Sequence, residues 1–150
     1  MLCSSGTIKN RIAPFLRTLY LASRRKGWTW LDGSHWHLED FDSATFGEKV
    51  LVAEEQNHIV GFASLWLPDS FLHNLFVAPA WQRRGVATAL LEACYPLCAD
   101  KIALKCLTKN RRALAFYQRH DWKIISSGIA EHGEYFLMHR ALEHHKPFFR

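Results

Sequence analysis

Apolar residues recur at helical spacing in three parts of the chain. From Ile12 to Arg25 they return every three or four residues, as on the buried face of a helix. The same spacing recurs over Arg84–Cys98 and, more briefly, over Asn110–His120. Pro14 fits only the first turn of the first helix, and Gly27 ends it. The pattern therefore predicts three helices.

Runs of β-branched and aromatic residues predict the strands. A hairpin turn at Gln56-Asn57-His58 joins the first two, and the predicted strands are Val50–Ala53, Ile59–Leu67, Ser70–Val77, Lys101–Leu107, Trp122–Ile125 and Tyr135–His139. Before the first helix only Thr7-Ile8-Lys9 is available, so a strand there is expected to be short or atypical. This order of elements predicts a mixed α/β fold with a partly antiparallel sheet.

The length and composition indicate one globular domain. The 150 residues match the usual size of a domain, and a chain with 49% apolar and 22% charged residues can bury a core. Disordered, collagen-like and bare coiled-coil chains are excluded on this composition. We expect a single domain over residues 1–150, with 141–150 as a C-terminal tail.

An excess of positive charge indicates an anionic partner. The chain has 19 lysines and arginines against 14 acidic residues, a net charge of +5. This charge suits nucleic acid, a membrane surface or a phosphorylated cofactor. Arg83-Arg84 and Lys109–Arg112 each lie at a predicted helix start, whereas a nucleic-acid surface would spread its cations along one face. The distribution therefore favours the cofactor.

The cysteines predict no metal site. Cys3, Cys94, Cys98 and Cys106 form no C-x-x-C pair and match no zinc spacing, and free thiols are typical of a reducing compartment. No run approaches the roughly 20 apolar residues of a membrane span, and Met1–Lys9 lacks the apolar core of a secretory signal. We therefore expect a cytoplasmic protein that binds neither membrane nor nucleic acid.

A basic, glycine-containing loop opens the second predicted helix. Gln82-Arg83-Arg84-Gly85-Val86-Ala87 follows a strand and the turn residue Pro79. The unpaired N–H groups and positive dipole end of a helix start attract phosphate, and a glycine lets the backbone approach a ligand closely. The loop lacks the G-K-[ST] of a P-loop and the G-x-G-x-x-G of a dinucleotide fingerprint.

These residues resemble the acyl-CoA loop of the GCN5-related N-acetyltransferase (GNAT) superfamily, whose pattern is Q/R-x-x-G-x-G/A. A second segment, Asn110-Arg111-Arg112-Ala113-Leu114-Ala115-Phe116-Tyr117, is similar to the family's N-x-x-A-x-x-F/L-Y helix and lies at the expected distance. The resemblance extends over about Val50 to Met138. It implies the acyl-CoA N-acyltransferase fold, an α/β fold with a mostly antiparallel central sheet and helices on both faces.

The resemblance also implies roles for the matching residues. The backbone amides of Gln82, Arg83, Arg84, Gly85, Val86 and Ala87 would hold the pyrophosphate of acetyl-CoA, and the backbone of Leu75, Phe76 and Val77 would pair with its pantetheine arm. Asn110 would hydrogen-bond the cofactor. Tyr117 would protonate the leaving thiolate, a role that suits a phenol of pKa about 10. The alternatives are a solvated basic end for the arginines, a helix cap for Asn110 and core packing for Tyr117.

Acetyl transfer to an amine also needs a base. Strict alternation along Ser70–Val77 puts Phe71, His73, Leu75 and Val77 on one face. In that strand the sequence is similar to arylalkylamine-type members, which carry a histidine there, and a histidine titrates near pH 6.5. The strand has no glutamate, unlike the histone-modifying branch, which disfavours that branch. The alternative for His73 is a structural role.

The acceptor pocket of such folds is built by the segment after the first helix, by the His73 strand and by the last hairpin. Those parts supply the weaker substrate-binding candidates Trp28, Trp30, Trp36, Phe71 and Glu134. Aromatic rings with a nearby carboxylate could hold a cationic amine, although the tryptophans could equally belong to the core.

The predicted function is that of an acetyl-CoA-dependent N-acetyltransferase. It would move the acetyl group to a primary amine of a small molecule or peptide by direct attack in a ternary complex. The resemblance also suggests a homodimer. A non-catalytic acyl-CoA-binding regulatory protein and a basic nucleic-acid-binding domain are the alternatives.

Overall fold

The computed structural model describes residues 2–6 and 12–143, and for residues 2–6 it describes the backbone alone. In this part of the chain the strands are β1 (Leu2–Gly6), β2 (Lys49–Glu55), β3 (His58–Trp66), β4 (Phe71–Val77), β5 (Lys101–Leu107), β6 (Lys123–Ala130) and β7 (Gly133–Ala141). The helices are α1 (Ala13–Gly27), α2 (Asp40–Ala44), α3 (Val86–Cys94) and α4 (Arg111–Arg119).

The described strands form one mixed sheet with the order β1-β2-β3-β4-β5-β7-β6. Every neighbouring pair is antiparallel except β4 and β5, which are parallel and paired only at Phe71 and Ala103. The predicted mixed, mostly antiparallel sheet is confirmed. Because the described parallel pairing covers one residue of each strand, β4 and β5 do not pair with each other along the rest of their length.

Helices cover both faces of the sheet, as predicted. On one face, Val86, Leu90 and Leu91 of α3 pack in a core with Ile102 and Met138. On the other face, the second core unites residues of α1, α2, β2 and β3: Leu16, Leu19, Tyr20, Phe41, Val50, Val52 and Phe62. Strand β3 supplies residues to both cores, and its only polar residues are His58 and Ser64.

Local sequence explains where the helices begin and end. Pro14 lies in the first turn of α1, where its missing N–H costs nothing, and the last turn holds Arg24, Arg25 and Lys26, which complement the helix dipole. The predicted helix over Arg84–Cys98 is shorter, because a 3-10 turn over Tyr95–Leu97 follows Cys94. Pro96 in that turn cannot donate the next helical hydrogen bond.

The two ends of the chain differ from the prediction. The first strand is Leu2–Gly6, paired antiparallel to β2, while Thr7-Ile8-Lys9 lies outside the described residues. The strand was not foreseen because L-C-S-S-G is dominated by small residues. At the other end, β7 runs to Ala141, and the predicted tail beyond residue 143 lies outside the described residues.

The predicted alternation along β4 is wrong at His73, because a β-bulge interrupts the strand there. Leu72 lies opposite Leu65, but Asn74 lies opposite Ser64, so His73 is the extra residue. Leu72 therefore packs in the same core as Leu75 and Val77, which strict alternation does not allow. His73 does not share their face, and neither does Phe71, which lies opposite Trp66 and next to Leu72 in the strand.

In the described part of the chain, no helix is both long enough and apolar enough to cross a membrane. Within the same residues, no group of three histidine, cysteine or acidic side chains is placed to hold a metal ion. The described cysteines Cys94, Cys98 and Cys106 are buried. Burial raises the pKa of the Cys106 thiol to about 11, so this thiol stays protonated at neutral pH.

Candidate active site

An open cavity of about 910 Å³ lies where α1, β4, α3 and α4 meet. Leu75, Phe76 and Val77 form the β4 wall, and the loop before α3 forms a second wall. Asn110 and Tyr117 of the α4 segment also line it. The two sequence motifs, about 30 residues apart in the chain, thus face one space.

The loop before α3 exposes backbone donors to this cavity. Gly85 is the N-cap of α3 with a φ of +83°, and no side chain caps the helix. No atom lies within 4 Å of the position that a Cβ of Gly85 would occupy, so the space beside it is open. Arg83 also has a positive φ, of 64°, an uncommon conformation for a residue with a side chain. The first N–H groups of α3 therefore remain free to bind an anion.

Each of the two basic segments has two adjacent arginines, and only one of the two lines the cavity. Arg83 and Arg112 do so, whereas Arg84 lies with its guanidinium 5.0 Å from the centre of the Trp81 ring. Lys26 and Arg119 line the cavity as well and were not foreseen as site residues. The cavity thus gathers cations from α1, from the loop before α3 and from α4, which suits a ligand with several phosphates.

Tyr117 is half-buried on α4 and faces the cavity. Its ring packs against Trp122 at 5.5 Å and against Phe116 at 5.4 Å between centroids. Burial is the main reason that the pKa of Tyr117 lies above its usual value, with the Cys106 and Cys94 thiols as further contributors. The hydroxyl is therefore protonated across the neutral pH range and can act as a proton donor.

Asn110 caps α4, as one of its two predicted roles required. Its side-chain oxygen accepts a hydrogen bond of 3.3 Å from the N–H of Ala113. The residue also lines the cavity, so contact with a cofactor stays compatible with the cap. Such a cap contributes about 1 kcal/mol to helix stability.

The β4 wall offers unpaired backbone to the cavity. Leu75, Phe76 and Val77 pair with β3 on one side, but on the β5 side the described pairing ends at Phe71. The Val77 carbonyl oxygen accepts a 3.4 Å hydrogen bond from Gln82 Nε2 and another from Ser23 Oγ. Apart from this Val77 carbonyl, the edge of β4 after Phe71 has no described strand partner and is open to an extended ligand.

His73 does not line the cavity. Its Nδ1 lies 2.9 Å from Oε2 of Glu48, and its side chain is 47% exposed. The hydrogen bond to Glu48 is the largest cause of a His73 pKa above the usual 6.5, and partial burial and Lys105 oppose it. The bulge turns this side chain toward the face that α2 covers, where Asn74 donates a 3.4 Å hydrogen bond to the Ala44 carbonyl.

Of the predicted acceptor residues, Trp28 alone lines the main cavity. Its ring contacts Phe76 at 5.7 Å, Trp36 at 6.0 Å and His132 of the β6–β7 turn at 6.0 Å. Trp36 and Trp28 also line a neighbouring cavity of about 470 Å³.

The other acceptor candidates lie elsewhere. Trp30 and Phe71 line neither cavity. Glu134 accepts a 3.4 Å hydrogen bond from Thr108 Oγ1, also away from both cavities. The structure therefore does not bring the predicted acceptor residues together as one pocket.

Thr88 and His120 are cavity residues that sequence reasoning did not identify. Thr88 Oγ1 lies 3.2 Å from His120 Nε2, and His120 Nδ1 lies 2.8 Å from the Phe116 carbonyl oxygen. Their positions next to the two motifs could have identified them, since Thr88 lies in the first turn of α3 and His120 directly follows α4. The contact between them ties the two helices together beside the cavity.

Comparisons with known proteins agree with this geometry. The acetyltransferase (GNAT) family matches residues 14–122. No curated protein sequence matches the chain. A GCN5-related N-acetyltransferase from Rhodopseudomonas palustris has a similar structure, with a TM-score of 0.73 and 21% identity over 95% of this chain and 99% of that one.

Two further solved structures are similar. The ribosomal-protein-S18-alanine N-acetyltransferase from Escherichia coli has a TM-score of 0.68 and 16% identity, over 99% of each chain. The PaiA N-acetyltransferase from Thermoplasma acidophilum, solved with coenzyme A, has a TM-score of 0.72 and 13% identity, over 94% of this chain and 99% of that one. At these identities the likeness concerns the fold alone. The family match over residues 14–122 covers more than half of the chain and shows the family itself. The chain belongs to the GNAT acetyltransferase family, whose acyl donor is acetyl-CoA.

Proposed function

We propose that this protein is an N-acetyltransferase that moves the acetyl group of acetyl-CoA to a primary amine of a small molecule or peptide. The observation that carries the proposal is the open edge of β4 at Leu75–Val77, which ends beside the uncapped start of α3 and faces Tyr117. The strand edge would pair with the extended arm of the cofactor, and the helix start would bind its diphosphate. Tyr117 would donate a proton to the leaving sulfur.

The cavity fits acetyl-CoA by its donors and its size. Free N–H groups at the start of α3, together with Arg83 and Arg112, would bind the diphosphate. The backbone of Leu75–Val77 would pair with the amide-bearing arm as an added strand does. A volume of about 910 Å³ is at the upper end of ordinary ligand pockets, as a large cofactor requires.

Acetyl-CoA supplies an activated acetyl thioester, and the protein supplies the proton transfers. Tyr117 would donate its hydroxyl proton to the departing sulfur, and a backbone N–H of the open β4 edge would polarise the thioester carbonyl. His73, directly or through a water molecule, would take a proton from the acceptor ammonium. The nitrogen loses two protons on becoming an amide: the first would be taken by His73 and released to solvent, and the second, lost after the attack, would restore the Tyr117 hydroxyl, whose own proton ends on the sulfur.

The two proton-transfer residues lie on opposite faces of the sheet. Tyr117 packs against the α3 core, whereas His73 faces α2 through its contact with Glu48. Beyond Phe71, β4 and β5 have no described pairing with each other, and the proposal requires that the reacting groups meet through this gap. We propose that the amine enters from the α2 face and that the sulfur departs toward the α4 face.

The acceptor would bind near Trp28, which borders the cavity and touches both Phe76 and His132. A protonated amine over an aromatic ring gains about 0.5–2 kcal/mol, depending on its exposure. Trp36 would act through its contact with Trp28. These contacts support an amine acceptor without selecting a particular one.

The test is a panel of small amines and peptides, with free thiol measured after mixing with acetyl-CoA and protein. Thiol release that depends on one acceptor class, with an acetylated product identified by mass spectrometry, is the expected result. A thermal shift from acetyl-CoA without turnover on any acceptor would favour a non-catalytic acyl-CoA-binding protein. No thermal shift, together with DNA binding that weakens steeply with salt, would favour the nucleic-acid-binding alternative.

A further inference from the structure

Glu48 is a buried carboxylate with a single described hydrogen-bond partner. It lies between α2 and β2, and its side chain is only 8% exposed. Oε2 lies 2.9 Å from Nδ1 of His73, whereas Oε1 is buried and has no hydrogen-bond partner among the described residues. A buried carboxylate held in this way is unfavourable for folding, so its retention needs a reason.

The contact determines which ring nitrogen of His73 carries the hydrogen. A carboxylate oxygen can only accept, so at 2.9 Å Nδ1 must be the donor. In the neutral ring, Nε2 is then the nitrogen with the free electron pair. A histidine ordered like this can take a proton at Nε2 without changing its tautomer.

The fold places this pair at the gap in the sheet. Phe71 and Ala103 are the last paired residues of β4 and β5, and His73 and Lys105 each follow two residues later, so they flank the gap. Leu75, the first cavity residue on β4, lies roughly 7 Å further along the strand. The bulge at His73 aims the side chain away from the core and toward Glu48.

We propose that Glu48 is a positioning residue that fixes the His73 ring, so that Nε2 accepts the proton of the acceptor amine. This inference rests on the proposed function. In the step itself an N–H bond of the ammonium breaks, an Nε2–H bond forms, and the imidazolium is stabilised by the Glu48 carboxylate. The freed amine then has the electron pair with which it attacks the acetyl carbon.

The surroundings of His73 favour such a base. Glu48 faces it from the α2–β2 connection, the Ala44 carbonyl from the end of α2, and Lys105 from β5. The hydrogen bond to Glu48 outweighs partial burial and Lys105, so the pKa of His73 is raised above 6.5 and the ring binds a proton more readily than a free histidine does. Lys105 also lies with its ammonium 4.9 Å from the centre of the Tyr135 ring, at the same gap.

The test compares the pH dependence of kcat/KM for the wild type, Glu48→Gln and His73→Gln, using the best acceptor from the amine panel. The glutamine can still accept from Nδ1 but carries no charge. We expect Glu48→Gln to move the acid limb of the profile to lower pH and to reduce kcat about tenfold, because a general base contributes about 10²–10⁴-fold. The KM for acetyl-CoA should stay unchanged.

Two comparisons separate this role from a structural one. Glu48→Asp, which keeps the charge, should recover part of the rate. Asp42→Asn removes another carboxylate near α2, one that pairs with the exposed Arg17 at 3.1 Å, and should leave the limb unmoved. In the His73→Gln background, Glu48→Gln should cause little further loss of kcat. If Glu48→Gln lowered kcat/KM equally at every pH and left the acid limb of the profile at its wild-type position, the proposal would be overturned.

A second measurement does not depend on an acceptor. The ¹⁵N shifts of the His73 ring, assigned by comparison with His73→Gln, should show hydrogen on Nδ1 in the neutral form, and Glu48→Gln should lower its titration midpoint. A neutral ring with hydrogen on Nε2 would also overturn the proposal. If the wild type transfers no acetyl group, the proposed function fails; if it does and the limb stays fixed, only the role of Glu48 fails.

Discussion

The Tyr117 ring packs edge-to-face on Trp122, with 5.5 Å between centroids, while the same residue faces the cavity. Tyr117→Phe keeps this packing and removes only the hydroxyl. We expect kcat to fall about 100-fold or more, because the proton donor to the sulfur is lost. Acetyl-CoA affinity and the melting temperature should change little. Steady-state kinetics and thermal unfolding check this, and unchanged turnover would remove Tyr117 from the mechanism.

Tyr95 offers a matched control in the same core. Its hydroxyl accepts a 3.4 Å hydrogen bond from Trp122 Nε1, and the residue does not line the cavity. Tyr95→Phe leaves the indole N–H without this acceptor, which costs about 1–3 kcal/mol of stability. It should therefore lower the melting temperature and leave kcat intact, the opposite of Tyr117→Phe.

The positive φ of Gly85, +83°, gives a second prediction. Gly85→Ala meets no neighbour within 4 Å, so its penalty is conformational, about 1–2 kcal/mol for a left-handed alanine. If the loop relaxes out of this conformation, acetyl-CoA affinity should fall about 5–30-fold, the factor that 1–2 kcal/mol represents. Isothermal titration with acetyl-CoA measures the change.

Gly133 provides the comparison for that variant. It also has a positive φ, of +116°, with no atom within 4 Å of its Cβ position, but it is the first residue of β7, directly after the β6–β7 turn. Gly133→Ala should also destabilise the fold, because alanine rarely adopts this φ, but it should not weaken acetyl-CoA binding. Equal losses of affinity in both variants would show that the α3 start has no special part in binding.

The two arginines before Gly85 should differ in their contribution to acetyl-CoA binding. Arg83 lines the cavity, whereas Arg84 lies over Trp81. Hydrogen bonds to charged groups contribute about 1.5–3 kcal/mol, so Arg83→Gln should weaken binding about tenfold or more and Arg84→Gln less. Titrations at low and high salt should show a smaller salt dependence for Arg83→Gln. A larger effect from Arg84→Gln would reverse the assignment.

Contiguous segments explain why much of the cavity lining could be predicted from the sequence. The anion-binding chemistry of Gln82–Ala87 resides in the backbone at a helix start, and the cap at Asn110 needs only residues three positions apart. A glycine, small residues and a capping residue can each be recognised from the local sequence. Mostly antiparallel pairing and helices on both faces follow from the same motif-bearing elements, and the structure confirms them.

The predictions that were wrong, and the cavity residues that were missed, depend on contacts between residues far apart in the chain. The bulge at His73 exists because Ser64 and Leu65 of another strand pair around it, and nothing in the alternation of β4 itself reveals that. Glu48 and Lys26 reach the site from elements 25 or more residues away from the motifs. Residue type alone does not distinguish such side chains from solvated charges.

The last prediction concerns stability and pH. Because Glu48 raises the pKa of His73 above 6.5 in the folded protein, folding favours the protonated ring. This contribution is fully present below the unfolded pKa and is lost as the pH rises through the folded pKa. The melting temperature of the wild type should therefore exceed that of His73→Gln by more at pH 5.5 than at pH 8.5. A difference that grows toward alkaline pH would contradict the pairing, and Glu48→Gln should flatten the dependence, because it removes the charge that holds the proton.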